Sequence, residues 1–156
     1  MYRMKRVITP LFLLFFILSA SVGFSQSDRG RFYISGTSGA IFPFQKNNIA
    51  FKDKLIFGLE GNYFVANGVA ITGGVDYLLG GEQTMAVFGT RLYPGSGSFY
   101  FRHKAMVNVK NRHSNDFLLG LGNDFRINDI LAAELNLDYH FIYQALGLKF
   151  GLALTF

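Results

Sequence analysis

The 156-residue sequence predicts an all-β protein, an eight-stranded antiparallel up-and-down transmembrane β-barrel preceded by a cleaved signal peptide. Three observations predict it. The N-terminus has the three-part plan of a secretory signal. The remainder alternates between bulky apolar and small or polar side chains in eight segments of roughly ten residues. Every full charge inside those segments falls on the small-residue face.

The signal comes first. Arg3, Lys5 and Arg6 precede any acidic residue, and the apolar run Val7 to Ala20 follows, ending in small residues with Gly23 and Ser25 as the small-x-small pair. The run is short of the roughly 20 residues a spanning helix needs, which disfavours a retained anchor. Residues 1–25 are therefore expected to be a signal peptide and 26–156 the barrel domain. The formal net charge of +5 falls to +2 without that leader, because three of the 15 basic residues and none of the ten acidic ones lie in it. The basic balance thus gives no case for a nucleic-acid partner. With no cysteine, the chain has no disulfide, thiolate metal site, cysteine nucleophile or lipid-anchoring cysteine.

Segment one, Arg31 to Ile41, carries Phe32, Ile34, Gly36, Ser38 and Ala40 on one face and is unusually polar and Gly-rich. Segment two, Leu55 to Val65, sets Leu55, Phe57, Leu59, Tyr63 and Val65 against Ile56, Gly58, Glu60, Asn62 and Phe64. Ala66-Asn67-Gly68 is a tight turn of the kind that joins hairpin strands. Segment three, Val69 to Leu79, opposes Ile71, Val75 and Tyr77 to Thr72, Gly74 and Asp76.

Segment four, Thr84 to Tyr93, puts Ala86, Phe88, Thr90 and Leu92 opposite Met85, Val87, Gly89, Arg91 and Tyr93, and Pro94 to Gly97 makes the next turn. Segment five, Phe99 to Asn108, sets Phe99, Phe101, His103, Ala105 and Val107 against Tyr100, Arg102, Lys104, Met106 and Asn108. Segment six, Phe117 to Arg126, puts Phe117, Leu119, Leu121, Asn123 and Phe125 on the apolar face, opposite Asp124 and Arg126. After Asn128-Asp129, segment seven runs from Leu131 to Phe141 with Glu134, Asp138 and His140 on its small face. Segment eight, Ala145 to Phe156, opposes Leu146, Leu148, Phe150, Leu152, Leu154 and Phe156 to Lys149 and Gly151.

Two eight-stranded architectures compete for this pattern: a soluble lipocalin-like barrel with an apolar lumen, and a membrane barrel with the reverse polarity. An eight-strand lumen must be filled by side chains of limited bulk. A charge facing lipid at mid-depth costs roughly 2–4 kcal/mol. Bulky residues on one face, with small ones and all the charge on the other, satisfy both demands of the membrane barrel. Aromatics near segment ends, Phe32, Tyr63, Tyr77, Phe99, Phe117, Tyr139 and Phe156, are expected to form interfacial girdles.

The expected lumen network comprises Glu60, Asp76, Arg91, Arg102, Lys104, Asp124, Arg126, Glu134, Asp138 and Lys149, joined by His140, with Asp116 as a sixth carboxylate at the rim. Near-balanced charge favours a salt-bridged, filled interior over an ion path or proton-linked gate. No enzyme, cofactor or metal is expected. His103, His113 and His140 lack ligand spacing, and the apolar faces beside His103 offer it no carboxylate, which disfavours a lipid-modifying reading. Gly120-Leu121-Gly122 lies inside a segment and is not a phosphate loop.

Two outward connections suggest partners. VKNRHSND carries Lys110, Arg112 and His113, which suit the phosphates of lipopolysaccharide. FPFQKNNIAFKDK exposes Phe42, Phe44, Ile49 and Phe51, either folded over the barrel mouth or docked on another outer-membrane protein.

Gly58 to Tyr77 (GLEGNYFVANGVAITGGVDY), Leu119 to Phe141 (LGLGNDFRINDILAAELNLDYHF) and the last eight residues (KFGLALTF) together resemble the small OmpA/OmpX-type and opacity-type outer-membrane barrels. The resemblance implies location in the outer membrane of a Gram-negative bacterium and outer-membrane lipid and lipopolysaccharide as surroundings. It also implies a C-terminal assembly signal at Lys149, Gly151, Leu154 and Phe156, read by the barrel-assembly machinery during insertion. It specifies topology and export rather than activity. The function expected is a structural or interaction role with a filled polar lumen, the alternatives being a narrow porin-like pore, an accessory subunit of a larger complex, or a lipid-modifying enzyme.

Overall fold

The computed structural model describes residues 29–44, 54–79, 82–95, 97–110 and 115–156. They form eight strands: β1 (Phe32–Pro43), β2 (Lys54–Ala66), β3 (Val69–Leu78), β4 (Gln83–Leu92), β5 (Phe99–Asn108), β6 (Asp116–Arg126), β7 (Leu131–His140) and β8 (Ala145–Thr155). Each pairs antiparallel with the next, and β8 returns to β1, closing the barrel. The eight strands fall on the eight alternating segments, with no boundary moved by more than two residues. The expected signal peptide at residues 1–25 lies outside the described residues.

Closure pairs the first strand with the last. Tyr33 to Pro43 run against Thr155 to Ala145, and Phe156 and Phe32 exchange backbone hydrogen bonds of 2.8 and 3.2 Å at the seam. The barrel leaves no ladder edge, the condition under which a sheet can sit in hydrocarbon. No helix among the described residues is long and apolar enough to cross a membrane, which says nothing of strands.

The tightest connection is Asn67-Gly68 between β2 and β3. Gly68 has φ +75°, and a Cβ there would stand 2.7 Å from the carbonyl oxygen of Tyr93, so the left-handed turn and the neighbouring chain both require glycine. The pairing slips by one residue between Phe64 and Ala66, a bulge that matches the turn to the strand twist.

Alternation places side chains as the pattern demands. Leu59, Ile71, Phe88, Leu119, Phe150 and Leu152 face outward and are 47–62% exposed. Among strand residues with described side chains, Arg126 at the last position of β6 is the one full charge that is exposed. The aromatics split into two belts. Phe32, Tyr63, Phe99 and Phe156 stand at the end where β1 starts and β8 finishes, the terminal end, and Tyr77, Phe117 and Tyr139 at the opposite, loop end.

The inner face is layered, which the small-residue reading did not anticipate. At the loop end, Ile41, Ile56, Leu78, Met85, Val87, Met106, Leu118, Tyr143 and Ala145 form a buried apolar cluster. At the terminal end, Tyr33, Phe64, Ala70, Tyr93, Tyr100 and Ala153 form a second. Glu60, Asp76, Arg91, Arg102, Lys104, Glu134, Asp138 and Lys149 lie between these two layers.

Candidate functional site: the buried charge network of the lumen

Charged residues recur on the inner face of seven of the eight strands, and closure turns those faces toward one another. Arg91 of β4 is the hub. Its guanidinium donates to Glu134 of β7 at 2.5 Å and to Glu60 of β2 at 3.0 Å, and its plane lies 4.8 Å from the ring centroid of Tyr100. A planar fork with several fixed donors suits a group that serves two carboxylates at once. Lys104 of β5 donates to the other oxygen of Glu60. Tyr100 is within hydrogen-bond distance of Glu134, at 2.8 Å, and of Asn136, at 2.6 Å.

Two further pairs flank the hub. Arg102 of β5 and Asp138 of β7 form a bidentate pair, with Nε donating to Oδ1 at 2.7 Å and Nη2 donating to Oδ2. Lys149 of β8 donates to Asp76 of β3 at 2.7 Å. All eight side chains are fully buried in their pairs. Four carboxylates thus face four cations. Burying a charge is tolerable when it is paired and hydrogen-bonded, and removing a partner then leaves an uncompensated ion.

Lumenal glycines make room for this network. A Cβ on Gly122 would stand 2.2 Å from the Tyr100 ring, and one on Gly120 would stand 2.1 Å from Asp138 Oδ1. The Gly-rich look of segment six is therefore a packing requirement of the side chains across from it, since Tyr100 is the register partner of Gly122 and Asp138 that of Gly120.

Three sequence assignments change. Arg126 is outside the network: at the end of β6 it pairs with Asp129 of the following turn at 2.6 Å, because the strand leaves the barrel there. Asp124 lies in the terminal-end aromatic layer and accepts from Tyr93 at 2.9 Å, rather than meeting one of the four cations. Asn123, assigned to the bulky outer face, is only 1% exposed, although its register partners are Phe99 and Leu135.

A separate pair sits at the loop end. His140 Nδ1 lies 2.6 Å from Asp116 Oδ2, and the other Asp116 oxygen accepts from the backbone of Ile142 at 3.0 Å. In the same turn, Tyr143 packs on the His140 ring, and burial, with a contribution from Asp116, pushes its hydroxyl up to about 12. His103 faces outward with Thr90 and Leu119 as register partners, and its Nδ1 is 3.1 Å from Thr90 Oγ1. Among the described residues no cluster of three or more His, Asp or Glu could hold a metal ion.

Of the residues expected to meet partners, Lys110, Phe42 and Phe44 are exposed, and Phe44 lies 6.2 Å from Tyr139 between ring centroids. Arg112, His113, Ile49 and Phe51 lie outside the described residues. At the C-terminal segment, Lys149 points into the lumen while Leu154 and Phe156 face outward, 43% and 68% exposed.

No protein-family model matches the chain, and no curated protein matches it. Solved structures do. The chain is similar to a de novo designed transmembrane β-barrel, at 14% identity over 83% of this chain and 98% of that one, with a TM-score of 0.63. A second designed barrel, TMB2.3, gives 14% identity over 83% and 96% and a TM-score of 0.60. The outer membrane protein OprG from Pseudomonas aeruginosa gives 15% identity over 83% and 97% and a TM-score of 0.53. At these identities the likeness concerns the fold: an all-β, closed, eight-stranded antiparallel barrel that resembles transmembrane barrels.

Proposed function

We propose that this chain is an integral outer-membrane β-barrel of a Gram-negative bacterium, exported by a cleaved leader at residues 1–25, with a structural or interaction role and no catalytic one. Its lumen is a sealed core rather than a pore. The observation that carries this reading is the charge-balanced set of eight fully buried side chains held between two apolar layers. The apolar outer wall and the likeness to OprG support the location. The exposed Lys110, with Arg112 and His113 in the same connection, would meet lipopolysaccharide phosphates, and the outward Leu154 and Phe156 would present the C-terminal strand to the assembly machinery.

An ion crossing the lumen would have to pass both apolar layers and break pairs such as Arg91–Glu134. Planar-bilayer recording of the purified protein tests the reading. A baseline without unitary steps is expected, and reproducible steps of defined size would overturn the sealed lumen.

A further inference from the structure

The outer wall carries one polar pair that the lumen does not use. His103 of β5 and Thr90 of β4 face outward as register partners, joined by the 3.1 Å contact between Nδ1 and Oγ1. His103 is the fifth of ten residues in β5, so either end lies about 13 Å or more along the strand. Along β5 it is flanked by Phe101 and Ala105. Lipid headgroups stand at the strand ends, and hydrocarbon at this depth offers no hydrogen-bond partner.

The pair leaves one donor and one acceptor open whichever ring tautomer is present. When Thr90 donates to Nδ1, the ring presents Nε2–H and the hydroxyl keeps a free lone pair. When Nδ1–H donates to Thr90, Nε2 is the open acceptor and the hydroxyl proton is the open donor. A surface with one donor and one acceptor side by side is complementary to itself under a two-fold rotation.

We propose that the outer wall at β4 and β5 is the interface of a homodimer, with the His103–Thr90 pair of one copy hydrogen-bonded to that of the other. The proposal rests on the membrane reading above. Two copies inserted in the same sense can be related only by an axis normal to the bilayer. With that axis between β4 and β5, each strand meets the other strand of the second copy. Thr90 then faces His103 close to the axis, where the tilted strands of the two copies cross. In lipid no hydrophobic force drives such association, and close packing with polar pairing must supply it.

The chain has no cysteine, so single substitutions report contacts directly. The protein purified from the membrane fraction and reconstituted in phosphatidylcholine vesicles carries Ala105→Cys on the proposed interface or, as a control, Leu152→Cys on β8. A short bis-maleimide is expected to give a covalent dimer with the first and not with the second. His103→Leu and Thr90→Val are each expected to weaken dimerisation at least ten-fold, measured by energy transfer between labelled copies on dilution with lipid, while the mobility shift of the folded barrel on heating is kept. A monomer at all lipid dilutions with that shift intact overturns the dimer and leaves the barrel standing, as does equal cross-linking at both positions. Release of the protein from membranes by alkaline carbonate overturns the membrane reading itself, and the interface with it.

Discussion

Arg91 on β4 and Glu134 on β7 are 43 residues apart in sequence and meet at 2.5 Å across the lumen. Their strands are not neighbours in the sheet, so neither local pairing nor a hairpin brings them together. Only closure of the barrel does, and the contact therefore reports on the whole fold.

Arg91→Met is expected to destabilise the barrel by about 3–5 kcal/mol, because it leaves Glu60 without one cation and Glu134 without its own. Urea unfolding in vesicles, followed by far-ultraviolet circular dichroism, measures it. The double replacement Arg91→Met with Glu134→Gln, which leaves Glu60 paired with Lys104, is expected to cost less than the two single effects added together, since an ion pair is then removed as a unit. A loss below about 1 kcal/mol for the single variant would mean that the pair is open to water.

Two glycines of the same barrel should respond oppositely to one methyl group. Gly122→Ala drives a Cβ into the Tyr100 ring and is expected to cost about 1–3 kcal/mol. Gly73→Ala has nothing within 4 Å of the added Cβ and is expected to be neutral or slightly stabilising. The same unfolding assay compares them, and equal effects would contradict the inward and outward assignment of the two faces.

Much of this was legible in the chain. Alternation over Leu131 to Phe141, with Glu134 and Asp138 on the small face, sufficed to place β7 and to turn its carboxylates inward. The Asn67-Gly68 pair marked the β2–β3 hairpin for the steric reason the structure displays. The layering of the lumen was not legible, because a period of two tells which face a residue takes but not its height. Height depends on the stagger accumulated from strand to strand. Tyr33, Phe64, Tyr93 and Tyr100 lie on four strands or strand ends and share a layer only through that stagger. Arg126 was misassigned for a related reason. Its parity is correct for the lumen, but it stands where β6 ends and Asp129 is nearer than any lumenal carboxylate.

Tyr143 gives the loop end a pH dependence. Burial first, and Asp116 second, raise its hydroxyl from 10.0 to about 12. Between those values the unfolded chain releases this proton and the folded chain keeps it, so stability falls as pH rises through that window and is unaffected below it. Tyr143→Phe is expected to flatten the decline, measured as the urea midpoint between pH 9 and about pH 12. An unchanged slope would place the ring in water.

Which face of the barrel meets lipid decides between a membrane barrel and a soluble one of the same topology. Ile71, Gly73, Val75 and Tyr77 of β3 face outward in succession. Each is replaced singly by cysteine in the cysteine-free chain, labelled with a small fluorophore and reconstituted in vesicles. Brominated acyl chains are expected to quench all four, most strongly at the central positions, while aqueous iodide leaves them bright. Strong iodide quenching with no response to brominated lipid would contradict the account, because the apolar wall would then face water.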